Sequence, residues 1–295
     1  MIKNWILATR PKTLFASISP VILGLSIAYF EQAQINTNVA ILTLLCALLL
    51  QLASNIANDY LDAQKGIDTA DRLGPLRVTQ AGLIPSIQMK RALILVLAVA
   101  FFLGIYLMII GGPFIMLIGF LSLYFAYGYS AGPFPLSYNG LGEIAAFIFF
   151  GLIAVTGTHF LQTHHFSLMA LFFGMGPGFI SATILAINNL RDIKTDRVTK
   201  KRTLAVKYGE AFQRKLCVSL IISSSIVIFL ASLMYHLTWL LPLTALPIIF
   251  TKNWIHLLKN PIDQKMNQAL AKTAQYLLIY SLLTSLSLMH AKGLF

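Results

Sequence analysis

ALILVLAVAFFLGIYLMIIGGPFIMLIGFLSLYFAYGYS, from Ala92 to Ser130, contains no charged residue. Two apolar runs, Ala92–Ile110 and Phe114–Ser130, flank Gly111-Gly112-Pro113. Each approaches the ~20 apolar residues an α-helix needs to cross a hydrocarbon core of about 30 Å. The Gly-Gly-Pro centre marks a tight turn between them. Lipid leaves no backbone polar group free to go unpaired, so a chain made of such runs is all-α.

The pattern recurs on both sides of this hairpin. Leu14–Phe30, Val39–Asp59, Ile144–Leu161, Leu168–Asn188, Leu216–Tyr235, Leu237–Phe250 and Ala271–His290 bring the candidate spans to nine. The run Leu237–Phe250 is short and holds Pro242 and Pro247, and Pro20 is expected to kink the first helix. Composition agrees: 57% of the chain is hydrophobic and 11% charged, against about 25% charged in soluble domains. The formal charge of +12 does not point to nucleic acid, because the basic residues fall between apolar runs. With nine spans, all 22 Lys and Arg except Lys292 sort to one side. The positive-inside rule makes that side cytoplasmic. Lys3, Arg10 and Lys12 precede the first run without a convincing cleavage site, so that run reads as a retained helix. The expected fold is one domain over residues 1–295, an all-α polytopic membrane protein. Its nine transmembrane helices surround a central cavity, and the loops Asp59–Lys90 and Arg191–Lys215 form a small cytoplasmic cap.

Two acidic clusters stand at helix ends on that side. NDYLDAQKGID runs from Asn58 to Asp68, and NNLRDIKTD from Asn188 to Asp196. In each, an Asn stands four residues before an Asp: Asn58 with Asp62, and Asn188 with Asp192. Asn55, Asp59 and Asp62 follow i, i+4, i+7 spacing, and Asn188, Asp192 and Asp196 follow i, i+4, i+8. Such residues share a helix face, so each helix presents a ladder of oxygen ligands to one cavity. Hard oxygen donors without His or Cys suit magnesium, held by a few carboxylates together with substrate phosphates. Carboxylates placed where a helix meets lipid are functional candidates by default. Lys65, Arg72 and Arg77 follow the first cluster, and Arg191, Lys194, Lys201 and Arg202 surround the second. Some of these suit direct contact with diphosphate oxygens, though each taken alone reads equally as a topology or headgroup residue.

Other residues read more blandly. Cys46 and Cys217 lie in apolar runs and read as small buried hydrophobes. His159, His164 and His165 fall near the outer side, have no carboxylate neighbours and read as loop residues rather than a metal site. Trp5, Trp239 and Trp254 suit interfacial anchoring. Tyr127, Tyr129 and Tyr138 lie in a polar, Gly/Pro-rich segment and are candidates for a cavity mouth.

The motifs resemble the UbiA superfamily of intramembrane prenyltransferases, and within it the branch acting on 1,4-dihydroxy-2-naphthoate. RPKTL (Arg10–Leu14), NDYLDAQKGIDTADRLGPLRVTQAGLIP (Asn58–Pro85), YSAGPFPLSYNGLGE (Tyr129–Glu143) and NNLRDIKTDRVTKKRTLAVKYG (Asn188–Gly209) carry the resemblance. Beyond Gly209 only apolar helices remain to compare. The resemblance implies a nine-helix bundle whose cavity opens laterally to lipid, with two Asp-rich motifs holding magnesium and a polyprenyl diphosphate. It assigns Asn58, Asp59, Asp62, Asp68, Asn188, Asp192 and Asp196 to metal binding, with Asp62, Asp68, Asp192 and Asp196 catalytic. Asn58, Lys65, Arg72, Arg77, Asn188, Arg191 and Lys201 would bind the diphosphate. Arg10, Lys12 and Tyr138 are candidates for the aromatic acceptor, and Asp68, Asp71 and Tyr138 for the ring base. Two departures stand out. Gly66 replaces the Asp of the general superfamily pattern, with Asp68 two residues on. Lys200 stands where the naphthoate branch usually has Gly.

The implied activity is transfer of a polyprenyl group to 1,4-dihydroxy-2-naphthoate with loss of carbon dioxide and diphosphate, giving a demethylmenaquinone. The implied setting is a bacterial plasma (inner) membrane. No nucleic acid or obligate protein partner is implied. A related prenyltransferase acting on 4-hydroxybenzoate is the first alternative. The absence of Lys and Arg between Arg91 and Arg191 argues against it, because that branch tends to have a Lys-Arg pair after the fourth helix. A secondary transporter is the second; its charges would be expected near the bilayer midplane.

Overall fold

The computed structural model describes residues 2–32, 34–64, 73–131 and 135–294, and all their regular structure is helical. α1 (Ile2–Thr9), α2 (Phe15–Gln32), α3 (Thr37–Gln64) and α4 (Ser86–Gly128) form the first half. α5 (Leu136–Asn139) and α6 (Gly142–Phe147) lead through a π-helical turn, Ile148–Ile153, into α7 (Ala154–Thr163). α8 (Leu168–Arg191), α9 (Ile193–Val198), α10 (Leu204–Met234), a 3-10 stretch (Thr238–Ala245), α11 (Leu246–Lys259) and α12 (Met266–Ala291) complete the chain. Among the described residues, six helical segments are long and apolar enough to cross a membrane. Large apolar side chains face outward along them: Phe102 is 70% exposed, Ile109 73% and Ile222 53%. Such a belt belongs against lipid rather than water.

The Ala92–Ser130 stretch folds as the hairpin its sequence dictates. α4 is interrupted at Gly112, whose φ of 64° and ψ of −161° lie outside the helical region. A side chain there would meet the left-handed penalty, and Pro113 supplies no N–H to continue the ladder. A Cβ placed on Gly119 would overlap the methyl of Met108. Eleven residues of straight helix would hold those positions about 16 Å apart, so the two legs fold back on each other.

Core packing follows from close backbone approach. α8 carries Gly174 and Gly178 one turn apart, and the π-helical turn lays Gly151 against them. A Cβ on Gly151 would meet the Gly174 carbonyl oxygen at 2.6 Å and the Gly178 nitrogen at 2.7 Å. Small residues at such crossings let helices gain dispersion contacts that lipid cannot supply. Leu23, Ile27, Phe173, Ile180, Ile228, Tyr276 and Tyr280 fill the main core among α2, α8, α10 and α12. A second cluster joins α1, α3 and the start of α4 through Ala8, Ala53, Ile56, Val78 and Met89.

Several sequence expectations need correction. α3 runs five residues past Asp59, and the segment Leu204–Met234 is broken at Gly209 (φ 85°, ψ 173°), so its long leg starts just after Gly209, ahead of the expected Leu216. Thr203 caps α10, its hydroxyl accepting from Val206 N–H at 3.3 Å. α2 continues through Pro20. Trp254 is no interfacial anchor: it is 6% exposed, and its Nε1–H donates to Thr273 Oγ1 at 3.0 Å. His159 does have a carboxylate neighbour, since its Nε2 lies 2.6 Å from Glu31 Oε2. The two are 128 residues apart in sequence, and only the packing of α2 on α7 brings them together.

Candidate active site

A cavity of about 440 Å³ runs between α2, α3, both legs of α4, the α6–α7 segment and α8. One end is polar. There Asn58 and Asp62 from α3 face Asn188, Asp192 and Asp196 from α8 and α9, with Arg77 and Lys201 beside them. The walls then become apolar, through Leu50, Phe149, Phe150 and Ile153. They end at Leu107, Met108 and Ile115, next to the Gly112 turn. The two sequence clusters therefore meet across one mouth.

Among the described residues, Asp62, Asp192 and Asp196 each have a cation beside them. An Arg77 Nη2–H donates to Asp62 Oδ2 in a buried pair, and Nη1–H donates to the Asn58 carbonyl at 2.7 Å. Arg191 grips Asp192 with two bonds, Nε to Oδ1 at 2.7 Å and Nη2 to Oδ2 at 2.6 Å. Its Nη2 also donates to Asn188 Oδ1 at 2.7 Å, and Nη1 to Asn267 Oδ1 at 2.8 Å. Lys201 Nζ lies 3.8 Å from Asp196 Oδ1 and 5.5 Å from the centre of the Tyr138 ring. Ser130 Oγ–H donates to Asn58 Oδ1.

The second ladder is carried by two helices rather than one. α8 ends at Arg191, Asp192 caps it with φ of −93°, and α9 begins at Ile193. The Asp196 N–H still donates to the Asp192 carbonyl at 2.8 Å, so the i, i+4 relation survives the bend. α9 then closes in a Schellman motif. Lys201 N–H donates to the Asp196 carbonyl at 2.9 Å, and Lys200 N–H to the Arg197 carbonyl at 3.3 Å. This motif needs a left-handed residue at the position of Lys200, and Lys200 has φ of 59°. The unusual lysine therefore keeps the loop shape and brings Lys201 to Asp196.

The first ladder divides. Asn58 and Asp62 face the cavity, while Asp59 does not. Asp59 is 1% exposed, and its oxygens accept from the backbone N–H groups of Val78 and Thr79 at 3.1 and 3.0 Å. It fastens the returning loop and is not a cavity ligand here. Asn55 donates to the Thr9 carbonyl and to Thr13 Oγ1, both at 2.9 Å. These bonds brace the turn at Arg10, whose φ of 49° is left-handed. Arg10 borders the cavity, whereas Lys12 is exposed and does not. Tyr138 stands behind Lys201 rather than on the cavity wall. Burial, then the nearby Asp62 and Asp196 carboxylates, push its phenol up to about 12, which makes it no ready base at neutral pH. Lys65, Asp68, Asp71 and Arg72 lie outside the described residues.

Among the described residues, no three His, Cys, Asp or Glu side chains gather as a metal-binding group. The donors at the mouth do fit magnesium chemically, because carboxylate and amide oxygens are hard ligands. Burial pushes the Asp196 carboxyl up to about 7; Lys201 pulls it down, Asp192 and Asp62 push it up again, and Arg191 pulls it down. Desolvation rather than a missing partner sets this shift, and a bound cation would favour the ionised form.

A model of the UbiA prenyltransferase family matches residues 17–282. The chain belongs to that family. A Haemophilus influenzae relative, 1,4-dihydroxy-2-naphthoate octaprenyltransferase, is 35% identical over 300 residues, covering 98% of this chain and 96% of the relative. The Escherichia coli protein of the same name is 35% identical over 281 residues, covering 93% and 84%. A UbiA homolog from Archaeoglobus fulgidus bound to GPP and Mg2+ superposes with a TM-score of 0.70 at 15% identity, over 97% of this chain and 99% of that one. The last likeness shows the shared fold.

Several residues of this UbiA prenyltransferase site were not legible in the sequence. Asn267, on the first turn of α12, takes the Arg191 bond and donates to the Leu73 carbonyl at 2.7 Å. It ties the two charged loops together, and no motif marked it. Glu143, Asn189 and Gln213 form a buried polar knot beside the cavity. Glu143 and Asn189 fall inside quoted motifs without a role being read for either; a further signal was an acid in an otherwise uncharged stretch.

Proposed function

We propose that this protein transfers a polyprenyl group from polyprenyl diphosphate to 1,4-dihydroxy-2-naphthoate, releasing diphosphate and carbon dioxide and forming a demethylmenaquinone. The observation that carries this reading is the meeting of Asn58 and Asp62 with Asn188, Asp192 and Asp196 at the mouth of an otherwise apolar cavity. The naphthoate-specific relatives support the choice of acceptor. Arg77, Arg191 and Lys201 hold diphosphate oxygens, and Lys65 and Arg72 belong to the same set by sequence. Asn58, Asp62, Asn188, Asp192 and Asp196, with Asp68, supply ligands for magnesium. Bound magnesium neutralises charge on the departing diphosphate.

The allylic C–O bond breaks with its electron pair leaving on the diphosphate. The apolar wall around Phe149, Phe150 and Ile153 shelters the allylic cation from water. The electron-rich ring attacks through its carboxyl-bearing carbon. Loss of carbon dioxide returns the C–C electron pair to the ring and restores aromaticity. Arg10 at the cavity border suits the acceptor's carboxylate.

The proposal includes one domain of nine spans, with α4 counted as two. The mouth and its capping loops face the cytoplasm of a bacterium from the inner membrane, as the sorting of Lys and Arg supports. The test is direct. Purified protein in detergent receives polyprenyl diphosphate, magnesium and dihydroxynaphthoate, and products are read by mass spectrometry. A metal-dependent prenylated product lacking the carboxyl mass is expected. Product with 4-hydroxybenzoate alone would overturn the acceptor. No product with any acceptor, from folded protein, would overturn the reaction.

A further inference from the structure

Glu143 is 4% exposed, yet among the described residues no Lys, Arg or His pairs with it. Its Oε1 accepts two amide N–H groups, from Asn189 at 2.9 Å and Gln213 at 2.8 Å. Its Oε2 is buried without a hydrogen-bond partner, as is the Gln213 oxygen. Burying a carboxyl group in a half-satisfied network is costly. It sits one residue from the cavity wall, since Gly142 and Asn189 both line the cavity.

An oxygen that accepts from an amide fixes which way that amide points. Asn189 spends its Nδ2 on Glu143, whether Glu143 is charged or neutral, because Oε1 accepts in both states. One Nδ2 hydrogen remains, but the amide's orientation is fixed, and Oδ1, an acceptor, is held on the side away from Glu143. Tyr129 stands on the same stretch of wall, its hydroxyl oxygen 3.0 Å from where a Gly142 Cβ would lie. The Tyr129 phenol keeps its O–H at neutral pH, so it is a donor. This stretch of wall thus offers one fixed acceptor and one donor, just inside the diphosphate mouth. A ring carrying a hydroxyl beside a carboxylate matches that pair.

We propose that Glu143 is a positioning residue for the aromatic acceptor: by holding the Asn189 amide nitrogen, it aims Asn189 Oδ1 at a ring hydroxyl. This rests on the naphthoate reading of the site. Glu143 touches no substrate; Asn189 does.

The test is steady-state kinetics of the full chain in detergent, varying dihydroxynaphthoate and polyprenyl diphosphate separately. Glu143→Leu removes the acceptor, Glu143→Gln keeps an Oε1 in place, and Asn189→Ala removes the aimed group. The 1-hydroxy- and 4-hydroxy-2-naphthoates serve as competitive inhibitors, each lacking one ring hydroxyl. The expected result for Glu143→Leu and Asn189→Ala is an acceptor KM raised about tenfold, the effect of one lost hydrogen bond. The diphosphate KM stays within twofold, and Glu143→Gln restores the acceptor KM. One mono-hydroxy inhibitor binds wild type about tenfold more weakly than the other, and that gap closes in Asn189→Ala. If Glu143→Leu does not fold, Asn189→Ala and the inhibitor pair decide alone. Equal rises in both KM values, an unmoved acceptor KM, or no rescue by Glu143→Gln overturns the inference while wild-type turnover stands. Absence of wild-type naphthoate turnover overturns the functional reading, and this inference with it.

Discussion

Arg191→Lys keeps the charge at the mouth and removes the fork that organises it. Arg191 is 3% exposed and makes four hydrogen bonds of 2.6 to 2.8 Å, to Asp192, Asn188 and Asn267. An ammonium is a point donor on a flexible stem. It can meet one Asp192 oxygen, but it cannot span Asn188, Asp192 and Asn267 together. At least two of the four bonds are lost, each charge-assisted and each contributing about 1.5–3 kcal/mol. The retained ion pair offsets part of this, leaving about 2–4 kcal/mol. Tenfold corresponds to about 1.4 kcal/mol, so kcat/KM for polyprenyl diphosphate should fall roughly 30- to 1,000-fold. The assay varies the diphosphate at saturating dihydroxynaphthoate, with thermal unfolding followed in parallel. Asn267→Ala removes one of the same bonds, so its effect should be smaller and not additive with Arg191→Lys. A folded Arg191→Lys protein within threefold of wild type in kcat/KM would refute the account of Arg191 as organiser of the mouth.

Other consequences are equally direct. Asp62→Asn and Asp192→Asn should each lower turnover at least about a hundredfold through loss of charge stabilisation; wild-type turnover by either folded variant places the chemistry elsewhere. Gly151→Ala drives a methyl into the backbone of α8 and should cost about 1–3 kcal/mol, visible as a lower unfolding temperature; an unchanged temperature would contradict the tight crossing. Met108→Trp fills the apolar end of the cavity, so kcat/KM should drop about tenfold for a long polyprenyl donor and little for a ten-carbon one; equal effects on both donors would show that long chains leave the cavity before reaching Met108. Lys200→Gly relieves a left-handed lysine at about 1–2 kcal/mol against glycine's extra chain entropy of about 0.5–1 kcal/mol; it should unfold at the same or a higher temperature, and a clear drop would contradict the Schellman geometry.

Much of the architecture was open to reading because lipid enforces simple rules. Apolar length located the helices, and Gly112 with Pro113 located the hairpin. The Asn-x-x-x-Asp spacing foresaw that Asn58 and Asp62 share a helix face toward the cavity, and the i, i+4 relation of Asp192 and Asp196 holds across the bend at Asp192. The errors share a cause. Asp59 obeys the same spacing, yet its partners are the backbone N–H groups of Val78 and Thr79, supplied by a loop whose return path no local pattern encodes. Asn55 was likewise drawn to the Arg10 turn. The Glu31–His159 pair and the Arg191–Asn267 bond depend on helix neighbours far apart in sequence. Lys200 went the other way: the departure from glycine was visible, and the fold accommodates it with a positive φ.

The pairing of Asp62 with Arg77, Asp192 with Arg191 and Asp196 with Lys201 gives the mouth a form of electrical self-sufficiency. Three carboxylates can sit beside a low-dielectric interior because none is left bare. On the function proposed above, admission of a diphosphate with its magnesium would be a change of partners: Arg77, Arg191 and Lys201 would turn toward phosphate oxygens, and the freed carboxylates would be the groups to hold the metal. Little net charge is imported, so substrate affinity should depend on ionic strength far less than it would at an open basic patch. Departure of the product diphosphate lets the internal pairs re-form, which favours its release and returns the mouth to its starting state.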